Sequence, residues 1–145
     1  TLFQALSQVG AKAEFKEIQL ECSCDQDLMV PHDAKWTQEA LFNILDNAVK
    51  YTPEGGRITV TAEVWEMFTK IDISDTGIGI AKEHYEDIFK RFYREGKVHL
   101  EEGVGIGLYL SRQIITQQGG YIKVSSKEGE GTTFSVFLPN LHERK

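Results

Sequence analysis

Apolar residues recur along this chain in two periods, and the changes of period mark out its elements. Leu2, Leu6 and Val9 fall on one side of residues 1–11, as in the tail of a helix. Residues 14–24 alternate, with Ile18, Leu20 and Cys22 on one face, which predicts a strand. Leu28 to Val30 predicts a short partner strand, stopped by Pro31. Asp33 reads as the N-cap of a long helix that runs to about Tyr51. Its apolar stripe is Trp36, Ala40, Leu41, Ile44, Leu45, Ala48 and Val49, assigned here to the core. After the turn TPEGG, residues 57–65 place Ile58, Val60, Ala62 and Val64 inward. Residues 68–75 do the same with Ile71 and Ile73, so the two segments predict a hairpin. A short helix around 82–92 and a polar stretch over 94–103 follow. A second long helix runs from about Gly105 to Gln118 and stops at Gly119 and Gly120. YIKVSS and TTFSVFL then form two strands around a turn at Glu128–Gly131. Tight hairpins mean antiparallel pairs, so the predicted class is an α/β (α+β) two-layer sandwich with a mixed sheet.

Composition narrows the classes of function. At 145 residues and 41% hydrophobic content the chain fits one domain with its own core. No apolar run approaches the length of a membrane span. The net charge is −6, with no basic block, which argues against a nucleic-acid partner. Cys22 and Cys24 are too few and too close for a disulfide framework, and no second Cys/His pair completes a metal site. They read as ordinary thiols of a reducing compartment. The first residue is Thr1 rather than Met, which reads as a piece of a longer protein.

Three clusters carry chemistry. On the long helix Glu39, Asn43 and Asn47 are spaced by four, with Lys50 and Tyr51 one turn on, so they stack along one face. By themselves they fit a solvated helix face. Asn carbonyls also suit Mg²⁺ beside phosphates, and a lysine suits the phosphate itself. In DTGIGI, Asp75 ends a strand next to Gly77 and Gly79. A carboxylate only accepts hydrogen bonds, which suits the exocyclic amine of adenine, and the glycines allow a flat ligand to approach. In GVGIGL, glycines precede a helix N-terminus and offer N–H groups to an anion. The spacing matches neither the dinucleotide fingerprint nor the P-loop. The segment from Arg94 to Glu102 has no periodicity and reads as a lid, with Lys97 and His99 as surface residues.

The segments NILDNAVKYT, DTGIGI, IFKRFYR, GVGIGLYLSRQI and EGEGTTFSVFLP occur in that order, and together they cover most of the chain. The set resembles the catalytic ATP-binding domain of sensor histidine kinases, in the GHKL superfamily. The resemblance implies a Bergerat-type fold: about five mostly antiparallel strands backed by three helices. It implies residues 1–12 as the tail of a helix from a separate dimerisation domain, and 13–145 as the ATP-binding domain. It implies ATP and Mg²⁺ as cofactors, with Asn47 and Asn43 on the metal, Lys50 near phosphate and Tyr51 against the nucleotide. Asp75 would bind the adenine amine with support from Thr133, and Gly77, Gly79 and Ile80 would shape that pocket. Phe89 and Phe92 would anchor the lid, Tyr93 would border the nucleotide and Arg94 would reach the γ-phosphate. Gly103, Gly105 and Gly107, with Leu108 behind them, would hinge the lid and bind phosphate.

The four histidines, His32, His84, His99 and His142, lack the sequence context of a phosphoacceptor. The implied activity is therefore transfer to a histidine on another domain. Catalytic candidates are Arg94, Asn43 and Glu39, which is placed to polarise that histidine unless it is simply a solvated helix residue. The implied partners are the dimerisation domain and, indirectly, a response regulator. The implied setting is the cytoplasmic part of a membrane-anchored parent, with the isolated domain monomeric and not itself touching the membrane. The rivals are an ATP-hydrolysing relative, an anti-sigma serine kinase and a non-catalytic nucleotide-binding module. Hydrolysing relatives need an acid four residues before Asn47, and that position here is Asn43.

Overall fold

The computed structural model describes residues 2–23, 34–89 and 107–139. The chain runs α1 (Leu2–Phe15), β1 (Gln19–Ser23), α2 (Ala34–Tyr51), β2 (Arg57–Val64) and β3 (Phe68–Asp75). Two single-turn 3-10 segments follow, Lys82–His84 and Asp87–Phe89, then α3 (Gly107–Gln117), β4 (Tyr121–Lys127) and β5 (Gly131–Pro139). The strands form one sheet in the order β1-β2-β3-β5-β4. Among the described strands β1 and β2 pair in parallel, and the pairs β2–β3, β3–β5 and β4–β5 are antiparallel. The mixed sheet with three helices is the predicted architecture.

Register explains where the core sits. Ile73 lies between Val60 and Phe134, and Ile71 lies between Ala62 and Val136. Strand parity puts these residues on one face, where they join Leu41, Ile44, Leu45 and Ala48 of α2 in a single buried cluster. α2 packs against both other helices. It meets α3 closely enough for Ser111 Oγ to donate to the Ala40 carbonyl at 2.8 Å. From α1, Lys12 donates to Asp46 at 2.8 Å. Lys16 donates to the carbonyls of Val49 and Lys50 at 2.8 and 3.2 Å, bringing positive charge to the carbonyl end of α2.

Four expectations need correction. α1 continues to Phe15, so the strand starts at Gln19 and not at residue 14. Glu17, at φ 58°, ends the helix, and the Ile18 N–H bonds back to the Ala13 carbonyl at 2.8 Å. Trp36 is 52% exposed, and its neighbour Thr37 is buried in its stead. Val64 is 64% exposed, at the end of β2 beyond the helices. The helix expected around 82–92 is two 3-10 turns as far as Phe89. They are held by the Tyr85 hydroxyl, which donates to the Ser126 carbonyl at 2.6 Å and accepts from its N–H at 2.7 Å. The strand expected at 28–30 and the N-cap Asp33 lie outside the described residues.

Candidate functional site

The buried face of the sheet does not stay apolar to its end. Counting in twos along β3 from Ile71 and Ile73 gives Asp75, whose register partner is Thr132. The next position along the same face of β5 is Phe134. A carboxylate and a hydroxyl thus close a row of apolar side chains. Burial raises the Asp75 carboxyl above its ordinary value, partly offset by backbone N–H groups of Gly77 and Thr132. The Gly77 N–H donates to Asp75 Oδ1 at 2.8 Å.

Around this pair lies an open cleft. Asn47 and Tyr51 of α2 form one wall, and Ile78, Gly79 and Ile80 form another. Ile88, Leu108, Thr132 and Phe134 complete the lining. Phe89, next to Ile88, is buried edge-on against Phe134, with ring centroids 6.2 Å apart.

The loop after Asp75 is wedged between two parts of the backbone. The Ile78 N–H reaches the Tyr51 carbonyl at 3.3 Å, and the Gly129 N–H donates to the Ile78 carbonyl at 2.7 Å. A Cβ on Gly77 would lie 2.3 Å from the Tyr51 oxygen. Gly79 has φ +79°, and a Cβ there would lie 2.2 Å from the Lys127 oxygen. These glycines therefore let protein backbones approach each other, rather than the ligand approach expected from the sequence. Gly79 also lines the cleft. Ser126 fixes the far side: its Oγ accepts from the Ile80 N–H at 2.7 Å and donates to the Gly131 carbonyl at 2.8 Å. Its single hydroxyl hydrogen is then used, so in the 2.8 Å bond between Ser126 and Thr132 the donor is Thr132.

The cleft brings together Asn47, Tyr51, Asp75, Gly79, Ile80 and Leu108 from the predicted set. Asn43 lies one turn from Asn47, against Gly107 at the start of α3. Its Nδ2 is buried without a hydrogen-bond partner among the described residues. Lys50 is not among the lining residues: it pairs with Asp46 at 3.7 Å, which Lys12 also engages. Glu39 is exposed on α2. Thr133 is a correction: it points to the opposite face of the sheet, where its hydroxyl meets Ser74 Oγ at 2.7 Å. The period of two makes Thr132 the neighbour of Asp75. Phe92, Tyr93, Arg94, Gly103 and Gly105 lie outside the described residues. Thr132, Phe134, Ile78 and Ile88 were missed as lining residues; counting in twos back from Phe134 was the available signal for the first two.

A two-layer fold of this topology, with an apolar slot between one desolvated carboxylate and a helix face of amides, defines a nucleotide-binding domain of the Bergerat type. Residues 32–142 match the family described as histidine kinase-, DNA gyrase B-, and HSP90-like ATPase, and the chain belongs to it. Over 125 residues it is 39% identical to the sensor histidine kinase WalK of Bacillus subtilis, covering 83% of this chain and 20% of that protein. The structure of the mycobacterial sensor histidine kinase MprB matches with a TM-score of 0.85 at 27% identity, covering 96% of this chain and 93% of that chain. Full-length ShkA in complex with AMPPNP matches with a TM-score of 0.83 at 25% identity, covering 99% of this chain and 30% of that chain. The chain spans about a fifth of the curated relatives it matches. Among the described residues no helix is long and apolar enough to cross a membrane.

Proposed function

We propose that this chain is the ATP-binding catalytic domain of a sensor histidine kinase, and that it passes the γ-phosphoryl group of ATP to a histidine on a separate dimerisation domain. The observation that carries the reading is the cleft itself. Asp75, short of water and aimed along the apolar face, is an acceptor for the adenine amine, and Asn47 faces the same space from α2. The phosphates then extend along α2 toward Asn43 and the start of α3. In the transfer, a neutral imidazole nitrogen bonds to the γ-phosphorus, the bond to the β–γ bridging oxygen breaks, and ADP leaves. Such a loose transition state asks mainly for positioning and charge stabilisation. Arg94 and the N–H groups of Gly103, Gly105 and Gly107 are proposed for that charge, and Tyr93 for the nucleotide's flank. Lys50 is proposed for phosphate on exchanging Asp46 for it, and Glu39 for the incoming histidine. A response regulator is the proposed later acceptor. The parent is proposed to be membrane-anchored, with this domain in the cytoplasm.

Mg²⁺ fits the residues present. Among the described residues no group of three or more His, Cys, Asp or Glu could hold a metal by itself. Asn43 and Asn47 offer hard amide oxygens one helical turn apart, while the buried Nδ2 of Asn43 is a donor and suits a phosphate oxygen rather than the cation. That donor set suits a cation whose remaining ligands are phosphate and water. When bound, Mg²⁺ would neutralise phosphate charge.

One residue separates transfer from hydrolysis within this family. Position 43 carries an amide, which cannot take a proton from water. The test is incubation with γ-labelled ATP and a dimerisation-domain fragment bearing the acceptor histidine. Acid-labile label should appear on the fragment, with only trace phosphate released when the fragment is left out. Rapid phosphate release by the chain alone, with no label transferred, would overturn the proposal in favour of a hydrolase.

A further inference from the structure

Among the described residues, the β4 edge of the sheet is closed at both ends but open in the middle. In β4 the backbone groups of alternate residues point away from β5. At Ser126 both outward groups are taken by the Tyr85 hydroxyl, at 2.7 and 2.6 Å. Just before the strand, the Gly120 N–H is taken by the Ile115 carbonyl of α3 at 3.0 Å. Ile122 and Val124 have the same parity, and between them present two N–H and two carbonyl groups outward. No described residue bonds to these groups. An open groove runs beside them, lined by Phe89, Arg112, Thr116, Ile122, Lys123 and Val124 among others.

Unpaired strand groups are matched by an extended backbone, because only another strand supplies donors and acceptors at the same repeat. Charge then selects the strand. Lys123 and Lys127 are the only charged residues of β4, although the whole chain carries −6. Lys123 stands on the outer face, with its ammonium 5.9 Å from the Tyr121 ring centroid and 6.0 Å from that of Phe137. Arg112, on the groove side, lies over Phe89 at 4.8 Å and pairs with the exposed Glu86 at 3.3 Å. A second copy of β4 would set lysines against lysines, which is unfavourable across a strand pair. An acidic strand avoids this.

We propose that the β4 edge docks an extended acidic segment of a protein partner, which adds to the sheet as a sixth strand at Ile122 and Val124 and sets an acidic side chain opposite Lys123. Alternation places the flanking side chains of that segment in the groove, against Phe89, Ile122 and Val124, so they are apolar. The inference is independent of the nucleotide reading.

The probe is a blocked seven-residue peptide alternating valine and glutamate, titrated into the ¹⁵N-labelled chain. The amides of Ile122 and Val124 should shift and their hydrogen exchange should slow. The same peptide with lysine for glutamate should bind about three- to tenfold more weakly. Val124→Pro removes an outward N–H that β5 does not use, a position where a strand tolerates proline, and it should abolish the shifts. Lys123→Glu keeps the backbone edge and should reverse the preference between the two peptides. Absence of shifts at roughly millimolar peptide overturns the proposal, and the lysines then only protect the edge from aggregation. Equal binding of the two peptides, or self-association of the chain that Val124→Pro relieves, overturns it as well.

Discussion

The helix-facing side of the sheet follows one alternation throughout, yet its middle and its end do opposite things. In the middle, Val60, Ile73 and Phe134 lie side by side and wholly buried beneath α2. Burial there is favourable, at about 25 cal/mol per Å² of apolar surface. One step further along the same parity stand Asp75 and Thr132, and the cover opens into the cleft. There burial, now only partial, acts against a charge and raises the Asp75 carboxyl. The site is thus the core pattern carried one position too far, with acceptors where apolar side chains would be more stable. Real proteins break local consistency at functional positions, and this end of the sheet is such a break. The destabilised carboxylate gains most when a donor arrives in the cleft.

Phe134 belongs to both regions, so its truncation is the most severe way to test their union. It is 1% exposed, stands edge-on to Phe89 and lines the cleft. Phe134→Ala should destabilise the domain by about 3–5 kcal/mol, read from the denaturant midpoint, and should also weaken ADP binding. A loss in only one of the two measurements would mean that core and cleft do not share this wall. Asp75→Asn should separate the two regions instead. ADP affinity should fall by about ten- to a hundredfold by calorimetry, the usual range for a hydrogen bond to a charged group. Stability without nucleotide should rise at neutral pH, because a poorly solvated charge has been removed. The sign follows from the raised folded-state pKa. In the window between the ordinary aspartate value and the raised one, the folded form holds the proton more tightly. Wild-type stability therefore decreases as pH rises through that window, and Asp75→Asn should remove that contribution. A mutant that loses stability while keeping ADP would contradict both the burial argument and the adenine assignment.

The pattern of apolar positions was enough to read the sheet, the hairpin and both long helices, because each buries a single face. It failed where something other than that face decides. α1 ends at a left-handed Glu17, a residue with no glycine signal to announce it. Trp36 falls on the apolar stripe of α2 by spacing, yet is half exposed at the first turn of the helix. The 82–89 segment is held by the Tyr85 hydroxyl across forty-one positions of sequence, which no local period reports. In the site, Asp75, Asn47 and Tyr51 were legible because ordered motifs carry them. Ile78 and Ile88 were not, since their place in the cleft depends on how separate loops fold back onto β4 and α3. Lys50 was read toward phosphate from its helical spacing, while Asp46, one turn away on the same helix, engages it in this structure.

The mildest test concerns a single step of parity. Thr132 and Thr133 are neighbours of identical composition on opposite faces of β5, so they form an internal control. Thr132 hydrogen-bonds to Ser126 and lines the cleft, whereas Thr133 hydrogen-bonds to Ser74 on the far face. Replacement by valine keeps the shape and removes the hydroxyl. Thr132→Val should lower ADP affinity by about fivefold, corresponding to one neutral hydrogen bond of about 1 kcal/mol. Thr133→Val should leave ADP affinity unchanged and shift stability by no more than about 1 kcal/mol, since its partner is only half-buried. The reverse ranking would mean that β5 is out of register by one residue. Such a slip would carry Phe134 off the buried face along with Thr132, so the comparison between the two ends of the sheet would fail with it.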